Sequence, residues 1–154
     1  EPDPDVEEFA VAKREEVAGD SFRVNYNTGP GLLALDLVEA LRNGEVVAIQ
    51  GDRVLPGVAG TPMTLFGKST AIPTGPFALS MATGATVYPL FIVRRGWRRY
   101  RVITGEPFVC LRTGRDREMD IRASVEAWKT LLERVVRAHW YQWFTFERFD
   151  RGAA

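Results

Sequence analysis

The feature that most constrains the fold is a long amphipathic stretch over 118–140. Its apolar positions recur at helical spacing: Ile121, Val125, Trp128, Leu132, Val135 and His139. Such spacing places these side chains on one face of an α-helix. The sequence therefore predicts one long helix whose apolar face lies against the core.

Upstream of this helix, strand and helix patterns alternate. The predicted elements are a surface helix at 5–17, strands at 22–26, 45–50 and 63–66, helices at 32–41 and 77–83, a central strand at 86–93, a hairpin turn at 94–99 and its return strand at 100–104. Gly44 and Gly84 are expected to end the two helices. The alternation predicts an α/β fold, a mixed sheet flanked by helices, within one domain spanning 1–154.

Composition excludes several classes of protein. Twenty basic and 20 acidic residues give a net charge of zero, which argues against a nucleic-acid binder. The single cysteine, Cys110, cannot form an internal disulfide, and no Cys/His cluster is present for zinc. No apolar run approaches the roughly 20 residues that span a bilayer. Because the start at Glu1 lacks a methionine, we expect a piece of a longer protein.

Gly51-Asp52-Arg53 is the first candidate site, because it follows the predicted strand at 45–50. Ligands of α/β sheets bind beyond the carboxyl ends of strands. An arginine fixed there can hold a phosphate or carboxylate through two parallel hydrogen bonds. Taken alone, the motif fits a plain turn with an Asp–Arg ion pair better.

A second candidate site lies at the start of the helix predicted at 77–83. Thr74 or Gly75 can serve as the N-cap, with Pro76 as the first helical residue. The amides there could face an anion or a developing oxyanion. A well-capped helix without a ligand explains the same residues, and the spacing of a Walker loop is absent.

The third candidate is a basic turn around a tryptophan, consisting of Arg94, Arg95, Gly96, Trp97, Arg98 and Arg99. This composition suits an anionic membrane surface or a phosphorylated headgroup. A solvated hairpin tip fits equally well.

Three further features favour structural roles. His139 lies on the apolar stripe without a carboxylate three to five residues away, so a general base is disfavoured. Cys110 has no nearby histidine and is expected in the core. The tail Gln142-Trp143-Phe144, with Glu147 and Arg148, fits aromatic core packing better than a wall beside an acyl chain.

The order of these motifs resembles a known family. The segments are GEVVAIQGDRV (44–54), TLFGKSTAIPTGPFALSMATGATVYPLFIVRR (64–95), YRVITGEPF (100–108) and YQWFTFERF (141–149). Over 30–150 they are similar to the bacterial lipid A biosynthesis acyltransferases (lauroyl and myristoyl transferases) and to the acyltransferases of mycobacterial mannoside lipids. The resemblance implies the C-terminal half of a glycerolipid-acyltransferase-like domain.

That resemblance implies a mechanism based on a His-x4-Asp/Glu pair, which this chain lacks and which is expected upstream. The histidine deprotonates an acceptor hydroxyl, which attacks an acyl thioester. By resemblance, Asp52 and Arg53 line the acceptor or phosphate site, and Thr74, Gly75 and Pro76 shape the wall beside the dyad.

The expected function is O-acyl transfer from acyl-CoA or acyl-carrier protein to a glycolipid or phospholipid, at the cytoplasmic face of the inner membrane and without a cofactor. We expect the chain alone to be inactive and, because its first strands and helices are missing, prone to self-association. The competing hypotheses are a non-catalytic lipid- or partner-binding remnant and an unrelated phosphate-binding enzyme that uses Asp52 and Arg53.

Overall fold

A computed structural model of the chain describes residues 9, 12–13, 32–54, 58–114 and 116–143. The chain divides into two compact units, Glu1–Asp36 and Leu37–Ala154. Of the surface helix predicted at 5–17, the described residues Phe9, Ala12 and Lys13 are helical. The strand and turn predicted over 22–30 lie outside the described residues.

The first complete helix, α1, spans Leu32–Arg42. It ends where the backbone of Gly44 takes a φ of 81°, and the amide of Glu45 donates to the carbonyl of Ala40 at 3.0 Å. A positive φ at this position favours glycine, so the predicted helix end is confirmed.

The strand predicted at 45–50 is wrong. These residues form no regular element, and the side chain of Val46 is 95% exposed. A strand exists only through hydrogen bonds to a neighbouring strand, and no strand in the described part of the chain pairs with 45–50. The Asp-Arg motif consequently follows an extended loop rather than a buried strand.

A β-hairpin follows, with β1 at Gly60–Leu65 and β2 at Lys68–Pro73 in antiparallel register. The turn residues Phe66 and Gly67 both have positive φ, 51° and 77°, as a two-residue hairpin turn of the mirror-image kind requires. Alternate residues of β1 are buried: Thr61, Met63 and Leu65. The sequence did not predict β2, because its KSTAIP run has few large apolar side chains.

The second helix, α2, spans Gly75–Thr83 and ends at Gly84, whose φ is 75°. Thr74 occupies the N-cap position, so Pro76 is the second helical residue and not the first. The buried hydroxyl of Ser80 donates to the carbonyl of Ala85 at 2.7 Å and accepts from the amide of Cys110 at 3.0 Å. These bonds fix the loop after α2 against the segment that leads to the last helix.

The second hairpin consists of β3 at Leu90–Gly96 and β4 at Arg99–Thr104. The strand predicted at 86–93 is confirmed for 90–93, which belong to β3, and the predicted return strand at 100–104 lies within β4. Its central position in a sheet is wrong, because β3 pairs with β4 alone and Val87 makes only an isolated bridge to Phe108. The two hairpins are separate antiparallel sheets, and the described residues contain no parallel pair. The α/β class is confirmed, with the strands arranged as two hairpins.

The long helix, α3, spans Arg117–His139, and its N-cap Asp116 accepts from the amide of Glu118. The predicted stripe is confirmed, since Ile121, Val125, Leu132 and Val135 are buried and Trp128 and His139 half-buried. A 3-10 turn at Trp140–Gln142 follows. Within the described ranges, no helix combines the length and apolar character needed to cross a membrane.

The core lies between α3, α2 and the first hairpin. Its larger cluster contains Met63, Ile72, Phe77, Cys110, Ile121 and Val125. A smaller cluster of Leu65, Leu132 and Val136 continues along α3. The prediction that Cys110 is a core residue is confirmed.

Candidate functional site

The Asp-Arg loop, defined as Gly51, Asp52 and Arg53, is anchored to α3 by a tryptophan. The indole Nε1 of Trp128 donates to the carbonyl oxygen of Gly51 at 2.7 Å. A Cβ atom at position 51 would lie 3.2 Å from the Trp128 ring, so glycine permits this close approach. The same ring stacks on Phe91, with centroids 5.3 Å apart and planes 8° from parallel. The loop is thereby bound to α3 through Trp128, whose ring packs on β3.

A second indole fixes the carboxylate of the loop. Trp143 Nε1 donates to Asp52 Oδ2 at 3.0 Å, and Arg53 Nη2 contacts the same oxygen at 2.9 Å. The exposed fraction is 21% for the Asp52 side chain and 37% for Arg53. A carboxylate that accepts from an indole and a guanidinium is held in one orientation. The predicted Asp–Arg ion pair is therefore present, and Trp143 of the tail is a second hydrogen-bond donor to the same carboxylate.

The tail reaches this position because Gln142 binds the edge of β3. The amide of Arg94 donates to Gln142 Oε1 at 2.6 Å, and Gln142 Nε2 donates to the carbonyl of Arg94 at 3.0 Å. The side-chain amide thus makes the pair of bonds that a neighbouring strand would make. Next to it, the ring of Trp143 packs against Phe66 at 5.8 Å.

The turn of the first hairpin is also bound to α3. Glu133 Oε1 accepts from the amide of Phe66 at 2.7 Å, and the guanidinium of Arg137 lies 5.5 Å from the Phe66 ring. Because Phe66 carries the packing of Trp143, these contacts determine where the indole that binds Asp52 lies.

The predicted Thr74–Pro76 segment lies at the open end of the first hairpin. The amide and hydroxyl of Thr74 both donate to the carbonyl of Ala59, at 3.1 and 3.3 Å, so the side chain does not cap α2. Gly75 and Pro76 are half-buried. An anion at this helix start stays a prediction.

The Asp-Arg loop continues toward the same end of the hairpin. The side chain of Val54 packs so closely on Gly60 that a Cβ there would lie 2.6 Å from it. Gly60 is the register partner of Pro73, the residue before Thr74. Val54, the residue after the Asp-Arg loop, therefore lies at the same end of the first hairpin as Thr74.

The basic turn is at the tip of the second hairpin, as predicted. Arg94, Arg95, Trp97, Arg98 and Arg99 are all exposed, and the side chain of Trp97 is 81% exposed. The guanidinium of Arg94 lies 5.9 Å from the centroid of the Trp97 ring. Binding of a membrane or headgroup here stays a prediction.

His139 is the last residue of α3 and is half-buried. Its Nδ1 is buried and makes no hydrogen bond within the part of the chain that the structure describes. A general base requires an orienting partner, which this geometry does not supply. Phe144, Glu147 and Arg148 of the tail lie outside the described residues.

Sequence reasoning missed the link between the tail and the Asp-Arg loop. It assigned Trp143 to core packing, and the ring does pack beside Leu65, Leu132 and Val136. The indole N–H, however, donates a hydrogen bond to the carboxylate of Asp52, which lies 91 residues earlier in the sequence. No periodicity marks such a contact; the only signal is that both motifs occur in the same family pattern.

Comparison with known proteins gives a family for the chain. The family model described as bacterial lipid A biosynthesis acyltransferase matches residues 21–149. No curated protein and no solved structure matches. The matched span contains the Asp-Arg loop, both hairpins, α3 and Trp143. The chain therefore belongs to the bacterial lipid A biosynthesis acyltransferase family.

Proposed function

We propose that this chain forms the acceptor side of the cleft in an O-acyltransferase. The enzyme takes a fatty acyl group from acyl-CoA or acyl-carrier protein and transfers it to a glycolipid or phospholipid. The observation that carries the proposal is the meeting of the Asp-Arg loop and the tail at Asp52, both within the family match at 21–149. A binding site requires charged side chains that are held in one orientation. Here two segments that are distant in the sequence hold the Asp52–Arg53 pair in this way.

In the proposed reaction, the acceptor hydroxyl attacks the thioester carbonyl of the donor. A C–O bond forms, the C–S bond breaks and the thiol leaves with a proton. The base that removes the hydroxyl proton is the histidine of a His-x4-Asp/Glu pair, which does not occur among these 154 residues and which we place upstream of them.

Arg53 is the proposed anchor for a phosphate of the acceptor or donor. Its side chain is partly exposed, so an anion can approach, while Asp52 and Trp143 fix the orientation of the pair. A guanidinium held in one orientation binds phosphate through two parallel hydrogen bonds at low entropic cost. Thr74, Gly75 and Pro76 form the adjoining wall, and the enzyme is placed peripherally at the cytoplasmic face of the inner membrane.

Transfer of a labelled acyl group tests this proposal. The chain is joined to the upstream histidine-containing half, and labelled lauroyl-CoA and lauroyl-acyl-carrier protein are supplied with a lipid acceptor. We expect Arg53→Ala to reduce transfer on the order of 100-fold, because a charged hydrogen bond to substrate is lost. Arg122→Ala on the exposed face of α3 is the control and should leave transfer unchanged. Equal kinetics of the two variants contradict the role of Arg53.

The same assay separates the competing function, a non-catalytic remnant. Such a remnant binds lipid but transfers no acyl group from either donor when the upstream half is supplied. A phosphate-binding enzyme of another kind would instead bind nucleotides and not acyl-CoA.

A further inference from the structure

The second hairpin presents an exposed apolar face on one side. On β3 the side chains of Leu90 and Ile92 point outward, while Phe91 and Val93 point toward the core. The register places Val102 of β4 opposite Ile92 and Tyr100 opposite Arg94. We call Leu90, Ile92, Arg94, Trp97, Tyr100 and Val102 the outer face.

Large side chains on this face are open to solvent rather than packed. The exposed fraction is 71% for Ile92, 66% for Tyr100 and 81% for Trp97. The contact between the guanidinium of Arg94 and the Trp97 ring places the indole on the same side as Arg94. The outer face thus combines apolar side chains on the two strands with Arg94 and Trp97 near the tip of the hairpin.

The tip of this hairpin is strongly basic on both of its sides, although the whole chain has a net charge of zero. The segment 94–104 contains five arginines and no acidic residue. The arginines are Arg94, Arg95, Arg98, Arg99 and Arg101, all exposed. Arg94 belongs to the outer face, whereas Arg101 is the register partner of Val93 and lies on the other side of the hairpin. Among the described residues, none of the five takes part in an ion pair.

We propose that the outer face docks on an anionic lipid surface. Trp and Tyr side chains are favoured at the membrane interface, and arginines near an anionic leaflet are attracted to its phosphates. The guanidinium groups stay hydrated at the headgroups while Ile92, Trp97 and Val102 enter the acyl boundary. Burial of the same tip inside a protein would require acidic partners for five like charges.

The purpose of this docking rests on the proposed function, because an acyltransferase has to reach a lipid acceptor that lies in the membrane. The binding itself requires neither the donor nor the upstream half. Vesicle binding by the 154-residue chain can therefore fail or succeed independently of acyl transfer.

The test is cosedimentation of the chain with phosphatidylcholine vesicles that contain or lack phosphatidylglycerol, at low and high salt. The variant R95Q/R98Q/R99Q replaces three arginines whose side chains make no hydrogen bond within the described residues. We expect weaker binding on the order of 100-fold, because each arginine contributes roughly fivefold near an anionic surface. The control R117Q/R122Q/R134Q makes the same charge change on exposed positions of α3 and should bind as the parent chain does.

A second variant, Trp97→Ala, tests the apolar contribution at unchanged charge. We expect roughly tenfold weaker binding and a smaller shift of tryptophan emission on addition of anionic vesicles. Circular dichroism of each variant checks that the fold is intact, which the exposure of these side chains favours.

Three results would overturn the proposal. The first is equal binding of the two arginine variants, and the second is equal binding to vesicles with and without phosphatidylglycerol. The third is a dimer in sedimentation equilibrium that Trp97→Ala dissociates while vesicle binding stays absent, which would assign the face to a second copy of the chain.

Discussion

Two arginine-containing segments of this chain, similar as sequence motifs, differ in how the fold holds them. Arg53 lies in a half-buried loop bound by the indoles of Trp128 and Trp143. The arginines at 94–99 lie at an exposed hairpin tip, where Trp97 contacts only Arg94 among the described rings and cations. The difference comes from the tryptophans. The half-buried indoles of Trp128 and Trp143 donate hydrogen bonds and pack on other rings, whereas the exposed indole of Trp97 presents an apolar surface to solvent.

This comparison distinguishes two segments that we propose to bind ligands by how far their side chains are already ordered. The Asp-Arg loop is fixed before any ligand arrives, since its charged pair and its carbonyl already have indole donors. Ligand binding there requires little further ordering of side chains. The hairpin tip offers long, exposed side chains that can adapt to a laterally mobile lipid surface.

The largest expected difference between the two regions is in stability. Trp128→Ala removes the bond to Gly51 and the stack on Phe91, so the free energy of unfolding should fall by about 3–5 kcal/mol. Trp97→Ala removes an exposed ring and should change it by less than about 0.5 kcal/mol. Urea denaturation of the two variants measures both effects, and similar losses would contradict the distinction between the segments.

The bond between Trp143 and Asp52 should have the next largest effect. Trp143→Phe keeps the packing on Phe66 and removes the N–H, so we expect a loss of about 1–2 kcal/mol in the free energy of unfolding. In a double-mutant cycle with Asp52→Ala, the two losses should be non-additive by about 1 kcal/mol.

Trp140→Phe is the matched control for this cycle. Trp140 is exposed, its ring contacts Tyr141 edge-on, and it makes no side-chain hydrogen bond within the described residues. It should change the free energy of unfolding by less than about 0.5 kcal/mol. Strict additivity of Trp143→Phe and Asp52→Ala would mean that the bond contributes nothing.

Local patterns predicted part of the fold well. The stripe from Ile121 to His139 and the helix ends at Gly44 and Gly84 follow from residue types within a few positions of each other, so they could be predicted. The strand at 45–50 and the central position of the strand at 86–93 could not, because strand pairing depends on a neighbour that can lie anywhere in the chain. At 45–50, β-propensity without a pairing partner gave the wrong element.

The residues of the candidate site were proposed from the sequence, whereas the contacts that hold them were not. Asp52, Arg53 and the Thr74–Pro76 turn came from short motifs and from the family resemblance. The contacts that fix them, from Trp128, Gln142 and Trp143, join residues 48–91 positions apart. Side-chain hydrogen bonds of this kind leave no periodic trace in the sequence, and only the fold reveals them.

The smallest expected effect concerns Asp120, a half-buried carboxylate in the first turn of α3. It accepts from the hydroxyl and the amide of Thr113, at 2.7 and 2.9 Å. These hydrogen bonds, with a smaller contribution from the charge of Arg112, lower the pKa of Asp120 below its ordinary value. A lowered pKa means that the charged form stabilises the fold above the ordinary value of about 3.9, and that this contribution is lost as the pH falls through the lowered pKa.

Asp120→Asn should therefore make the chain slightly less stable at neutral pH and no less stable in strong acid. Thr113→Val should move the pKa of Asp120 back toward its ordinary value, as measured by NMR titration of the carboxyl carbon. If Thr113→Val leaves the titration of Asp120 unchanged, the two hydrogen bonds are not its cause.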